Sequence, residues 1–149
     1  MENRTMKIIE KEIGISTKAR NQMINITGQV RSLVNQSGIS NGDVTVYCPH
    51  TTAAITINEN ADPDVQHDIL LTLEQLIPQH RPGYRHNEGN SDAHCKSSLL
   101  GCSKQILVKD GSLNLGTWQA VFFCEFDGPR SRHVRSEERR VGKECRSRW

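Results

Sequence analysis

Residues 117–126, reading TWQAVFFCEF, are the longest apolar stretch of the chain, and Gly128-Pro129 stops it. An apolar run of this length, rich in aromatic and β-branched residues and bounded by turn residues, reads as the central strand of a sheet. Other β-rich runs surround it. Met6 to Ile13 reads as a first strand, Val44 to Cys48 alternates, and Thr51 to Asn58 is a further strand. Gln105 to Val108 and Ser112 to Leu115 flank Asp110-Gly111, a strong hairpin turn. A final strand starts at Arg132-His133-Val134.

Two segments carry the helical period instead. Ser16 or Thr17 can cap a helix start with a hydroxyl. Ala19, Met23, Ile26, Val30, Leu33 and Val34 then recur at steps of three and four, up to Gly38. Asn60 or Asp62 can cap a second helix with Pro63 in its first turn, a stripe of Val65, Ile69, Leu73 and Leu76, and Pro78 as its stop. Strands outnumber helices and two strand–strand links are short. The expected class is therefore α+β, a mainly antiparallel sheet with two principal helices packed on it. It is not the βαβα alternation of a nucleotide-binding domain. With 149 residues, one domain is expected.

Residues 135–149, RSEERRVGKECRSRW, have no hydrophobic period. They resemble the translation of a sequencing adapter, whose AGATCGGAAGAGC encodes Arg-Ser-Glu-Glu in one frame. The expected organisation is thus a domain over residues 1–134 and a non-native tail over 135–149, with the final strand cut short past Val134. The tail holds 6 of the 19 basic and 3 of the 17 acidic residues, so the net charge of +2 becomes −1 without it. No basic patch with interleaved aromatics then remains for nucleic acid. No apolar run approaches the ~20 residues that cross a bilayer, and the start has no apolar signal core. A cytoplasmic protein with reduced thiols is expected. Cys48 and Cys124 sit in strand contexts and read as small core residues.

The polar residues gather in clusters. Pro49-His50-Thr51-Thr52 lies at a strand end, where a single histidine is as readily structural as functional. Glu59, Asp62 and Asp64 stand at a helix start, where carboxylates also serve the helix dipole. The segment 79–98 is longer than the 12–15 or so residues beyond which a loop is usually functional or disordered. It contains His86, Glu88, Asn90, Asp92 and His94, residue types that ligate borderline metals. Lys96, Ser97 and Ser98 suit phosphate oxygens, without a P-loop pattern. Glu125, Asp127 and Arg130 leave the central strand together, and an arginine fork can hold a phosphate in two-point contact. His67 and His80 read as surface residues, and His133 is given no role.

Three stretches together are more specific than any one cluster. These are P-H-T-T-A-A-I-T-I-N-E-N-A-D-P-D-V, H-N-E-G-N-S-D-A-H-x-K-S-S-L-L-G and G-T-W-Q-x-V-F-F-C-E-F-D-G-P-R-x-R. In order and spacing, across residues 6 to 134, they resemble the YjbQ-like family. Cys95 and Cys102 stand where the family more usually has an apolar and a small residue. The resemblance implies a sandwich-like α+β subunit that forms a homotrimer, with a site near subunit boundaries. It implies His50, His86 and His94 as ligands of a divalent metal, zinc or magnesium, and Lys96, Ser97, Ser98 and Arg130 as phosphate holders. Glu59 and Glu125 would orient groups or move protons. The activity attached to the family is a secondary thiamine-phosphate synthase, a transferase joining a pyrimidine diphosphate to a thiazole phosphate. The alternative is a metal- or phosphometabolite-binding protein without turnover.

Overall fold

The computed structural model describes residues 8–140. In chain order these form β1 (Ile8–Ser16), β2 (Gln22–Asn25), α1 (Thr27–Ser37), β3 (Gly42–Tyr47), β4 (Ala53–Glu59), α2 (Pro63–Leu76) and α3 (Ser91–Leu100). Then come β5 (Ser103–Lys109), β6 (Ser112–Leu113), β7 (Gln119–Glu125) and β8 (Ser131–Arg140). One sheet has the order β1-β8-β3-β5-β6 and the other β2-β7-β4, with every pairing antiparallel. The α+β expectation holds.

The apolar run of β7 follows from its place between two cores. Val121 and Phe123 pack with Ile55, with Val44, Val46 and Val134 of the five-stranded sheet, and with Val30 and Val34 of α1. On the other face, Ala120, Phe122 and Cys124 pack with Leu73 of α2 and Ala93 of α3. Side chains alternate across a strand, so a strand covered on both faces is apolar at every position. Phe122 and Phe123 are both fully buried, and burying such a side chain contributes about 1.5–3 kcal/mol.

Local signals account for several elements. Asp62 caps α2, its Oδ1 accepting from the Asp64 amide at 2.9 Å, with Pro63 in the first turn. Asp110 and Gly111 have φ of 50° and 78°, the double positive φ of a two-residue hairpin turn. The first helix differs from expectation. It begins only at Thr27, and Met23 lies in β2, paired with Cys124 of β7. The short step from Met23 to Ile26 mimics a helical period, but the free edge of β7 offers hydrogen bonds that claim Gln22–Asn25 as strand. A third helix, α3, occupies part of the segment expected to be a loop. Its inward face carries Asp92 and Lys96 beside Ala93, so it shows no apolar stripe to read.

The final strand does not stop at Val134. β8 continues to Arg140 between β1 and β3, while residues 141–149, Cys145 and Trp149 among them, lie outside the described residues. Backbone groups of any residue can fill a ladder, which is why a segment without an apolar period is held here. Its side chains fit less well. Ser136 and Glu138 are buried; Glu138 Oε1 accepts from Ser136 Oγ at 3.0 Å, and Oε2 has no partner. Burial pushes the Glu138 carboxyl above its ordinary pKa, only partly offset by Ser136. A folded pKa above the unfolded one means stability falls as pH rises through that interval. Glu138→Val is therefore expected to gain about 1–3 kcal/mol at pH 8, and less at pH 4. Urea unfolding at the two pH values checks this; a variant no more stable than the parent at pH 8 contradicts it.

Candidate functional site

The exit of β7 is a buried polar knot. Glu125 is fully buried, and Arg132 of β8 grips both of its oxygens. Thr17 Oγ1 donates to Glu125 Oε1 at 2.8 Å, and the amides of Phe126 and Asp127 donate to Oε2 at 3.1 Å each. Arg132 also donates to Thr52 Oγ1 at 2.8 Å. Thr17, expected to cap a helix, instead ties β1 to this knot. Gly128 is required beside it, because a Cβ there would lie 2.2 Å from the Ala19 carbonyl oxygen. Both Glu125 oxygens are thus committed inside the protein, which gives this carboxylate a holding role at the β7 turn.

His50 lies just beyond β3. The last β3 residue, Tyr47, pairs with Arg135 of β8, and past that point His50 takes over the ladder. The His133 amide donates to His50 Nε2 at 3.0 Å, and the His133 carbonyl oxygen is 3.1 Å from the same nitrogen. Burial, and then the Arg132 charge, lower the His50 pKa and favour its neutral ring. The His50 and His133 rings meet edge to face at 4.8 Å.

A second polar network surrounds the start of α3. Asp92, fully buried, accepts from both terminal nitrogens of Arg20 at 2.9 Å and from Lys96 Nζ at 3.2 Å. Lys96, 1 % exposed, also donates to Glu74 of α2 at 2.9 Å. Burial would raise the Asp92 carboxyl, but Arg20 and Lys96 outweigh it and hold the group below the usual range. Lys96 is thereby neutralised inside the fold rather than presented to a phosphate. Ser98 Oγ donates to the His94 carbonyl at 2.8 Å within α3, while Ser97 is half-buried. Arg130 remains half-exposed and is braced by Asp127, through Nε to its carbonyl at 2.7 Å and Nη2 to Oδ2 at 2.8 Å.

Next to this network lies a cleft of about 390 Å³, lined by Gln79, His80, Arg81, Pro82, Tyr84, His86, Gly89 and Ser91. It contains an arginine and two imidazoles and no carboxylate. The first amides of a helix lack intrahelical partners and point outward with positive polarity, and Ser91, the first residue of α3, is on this wall. The cleft chemistry therefore suits an anion. The sequence reading puts His80 on the surface and gives Arg81 no role; the basic side chains of His80, Arg81, Arg85 and His86 within one short stretch are the signal that could have marked the cleft.

The three candidate metal histidines divide between two places. His86 and His94 come together, rings edge to face with centroids 5.5 Å apart, and Glu88 Oε2 is 3.4 Å from His86 Nε2. His50 is paired with His133 instead. Among the described residues there is no group of three or more His, Cys, Asp or Glu placed to hold a metal ion. The two candidate acid–base residues are also apart. Ala53 pairs with Glu125 and Glu59 with Gln119 on the same β4–β7 ladder, which puts Glu59 and Glu125 roughly 20 Å from each other at 3.3 Å per residue. No helix among the described residues is long and apolar enough to cross a membrane.

Comparison with known proteins agrees over nearly the whole described chain. A family model described as UPF0047 protein YjbQ-like matches residues 11–138. The UPF0047 protein YugU of Bacillus subtilis is 51% identical over 122 residues, covering 82% of this chain and 92% of that protein. A UPF0047 protein of Methanocaldococcus jannaschii is 54% identical over 118 residues, covering 79% and 85%. Among solved structures, an uncharacterised conserved protein of the YjbQ/UPF0047 family from Clostridium acetobutylicum superposes with a TM-score of 0.84 at 52% identity, covering 86% of this chain and 98% of that one. A YbjQ-like protein of unknown function from Sulfolobus solfataricus gives 0.87 at 35% identity, covering 92% and 100%.

Proposed function

The chain belongs to the UPF0047 protein YjbQ-like family, and from that premise we propose that it binds a small phosphorylated metabolite in the cleft beside α3. The observation that carries the reading is a cleft holding Arg81, His80 and His86 with no acidic residue on its wall. A guanidinium gives directed charge-assisted hydrogen bonds to phosphate, and the start of α3 adds its dipole. The reaction that fits this ligand class is the thiamine-phosphate synthase type, in which a pyrimidine diphosphate joins a thiazole phosphate and pyrophosphate leaves. Arg81 and the first amides of α3 would stabilise the departing charge. A divalent metal belongs to the proposal as a companion of the phosphates. His86 and His94 would supply two ligands to it and phosphate oxygens the rest, and the ion would add Lewis-acid stabilisation of the leaving group.

A second reading, binding without turnover, is favoured by one observation: Glu59 and Glu125 stand at opposite ends of a strand pair, and Glu125 has no free oxygen. Assembly as a homotrimer is also part of the proposal. Leu71, Leu76 and Leu99, between 47% and 66% exposed on α2 and α3, are individual apolar side chains available to such a contact.

The test begins with calorimetric titration of pyrophosphate. Arg81→Ala is expected to weaken binding roughly tenfold, the usual size for one charged hydrogen bond, and added salt should weaken the parent more than the variant. His86→Ala is then assayed for thiamine-phosphate formation from the two precursors, with and without magnesium or zinc. Parent turnover that falls to background in the variant supports the enzyme; tight pyrophosphate binding with no parent turnover selects the binding protein. Unchanged pyrophosphate affinity in Arg81→Ala removes the cleft from consideration.

A further inference from the structure

The β3–β5 ladder runs one step past the strands themselves. Val46 pairs with Lys104 and Tyr47 with Ser103. The next pair is Cys48 with Cys102, and there the Cys48 amide donates to the Cys102 carbonyl at 2.7 Å. Directly opposite residues point to the same face of a sheet. Val44, Val46 and Cys48 face the core on one side of this ladder, as Ile106 and Val108 do on the other. Both cysteines therefore turn to the core side, with Cys102 at the open end of the sheet. In a hydrogen-bonded antiparallel pair the Cα atoms are about 5.5 Å apart, inside the roughly 4.4–6.8 Å that a disulfide spans. The two thiols differ in access. Cys48 is 1% exposed, whereas Cys102, between α3 and β5, is open to solvent. Of the other cysteines among the described residues, Cys124 packs in the core on the opposite face of β7, and Cys95 is exposed within α3.

We infer that Cys48 and Cys102 are an oxidation site of this chain, joining in a reversible disulfide when it meets a peroxide. Exposed Cys102 reacts first. Its sulfur attacks one peroxide oxygen, the O–O bond breaks, and water leaves a sulfenic acid on Cys102. The Cys48 sulfur then attacks that sulfenic sulfur. The S–O bond breaks, and the hydroxyl departs with the Cys48 proton as a second water. Two thiols are oxidised and one peroxide is reduced to water. The new bond fastens the exit of α3 to the exit of β3, two residues before His50. A hydrogen-bonded pair holds its Cβ atoms farther apart than the roughly 3.5–4.5 Å of a relaxed disulfide, so the two strand ends must draw together. A disulfide closed against such resistance is readily reduced, and the resting state is the dithiol.

The test is peptide mapping under non-reducing conditions. The full chain is reduced, freed of reductant and exposed to hydrogen peroxide, once folded and once in denaturing urea. In the folded chain the expected main product is the Cys48 peptide linked to the Cys102 peptide, with both thiols lost to alkylation and both restored by dithiothreitol or glutathione. In urea the register is gone, and closure of the shorter loop favours Cys95 with Cys102 instead. In Cys102→Ser, a change at an exposed position, Cys48 should survive the peroxide and be alkylated once the chain is unfolded. The pairing is overturned if the folded chain links Cys102 to Cys95 or to a second copy, or carries it to sulfinic acid while Cys48 stays a thiol. It is also overturned if peroxide leaves both thiols intact, or if the folded and unfolded chains give the same products. The comparison on the parent chain needs no variant to fold.

Discussion

Replacing Arg132 with alanine is expected to cost about 3–5 kcal/mol of stability at pH 7, because it leaves a buried charge without its partner. Against a typical total of about 5–15 kcal/mol, that approaches loss of the fold. The Glu125 carboxylate has no contact with solvent, and Arg132 is its one counter-charge within hydrogen-bond distance among the described residues. Burial on its own would raise the Glu125 pKa. Arg132, Thr17 and the Asp127 amide outweigh it and bring the group below its ordinary value. With the folded pKa depressed, the contribution of this carboxylate is present above the unfolded pKa and is lost as pH falls through the folded one.

In Arg132→Ala the balance reverses. Thr17 and the backbone amides remain, but burial now dominates, and the carboxyl is raised rather than lowered. The variant then regains stability as acid protonates Glu125, while the parent loses some. The gap between the two should be largest at pH 7 and clearly smaller at pH 4, as read by urea unfolding. A gap that does not change with pH, or one below about 1 kcal/mol at pH 7, the scale of an exposed pair, would rule out a desolvated ion pair at this turn.

The second large effect is expected at the other buried network. Asp92→Asn preserves shape and removes the charge that faces Arg20 and Lys96. Arg20 is partly exposed and recovers some hydration, but Lys96 is 1% exposed and keeps only Glu74. A loss of about 3 kcal/mol is expected, at the lower end for a broken buried pair. The double variant Asp92→Asn with Lys96→Met should be more stable than Asp92→Asn alone, since no buried ammonium then needs a partner, and its methionine can pack where Lys96 lies over Phe126. Chemical denaturation of the two single variants, the double variant and the parent gives the coupling between the residues. Additive effects would mean that the two side chains do not act as a pair.

These two networks mark how far the sequence could be read. The central strand was legible because both of its faces are covered, so apolarity itself was the signal. The hairpin at Asp110-Gly111 and the cap of α2 were legible for a similar reason: each depends on residues within a few positions of one another. β2 was not. The spacing of Met23 and Ile26 satisfies a helical period, and only the open edge of β7 decides that the segment is extended. α3 was hidden because its buried face is charged, and a buried lysine looks like a surface lysine until its partners are known. The same limit applied to the site. The candidate histidines and acids stood out by type, but Arg20 lies 72 positions from Asp92 and His50 lies 83 positions from His133.

The amino-acid sequence by itself determined the class of fold, the order of most of its strands, the turn chemistry and the family, since all of these rest on local periods and on contiguous motifs. Tertiary structure alone decided which charges are cancelled inside and which face an open cleft. It turned Lys96 and Glu125 inward, joined His50 to the backbone of β8, and left Arg81, His80 and His86 around an open cleft. The physical reason is that hydrophobic period is written in neighbouring residues, whereas the partner of a charge is chosen by packing, from anywhere along the chain.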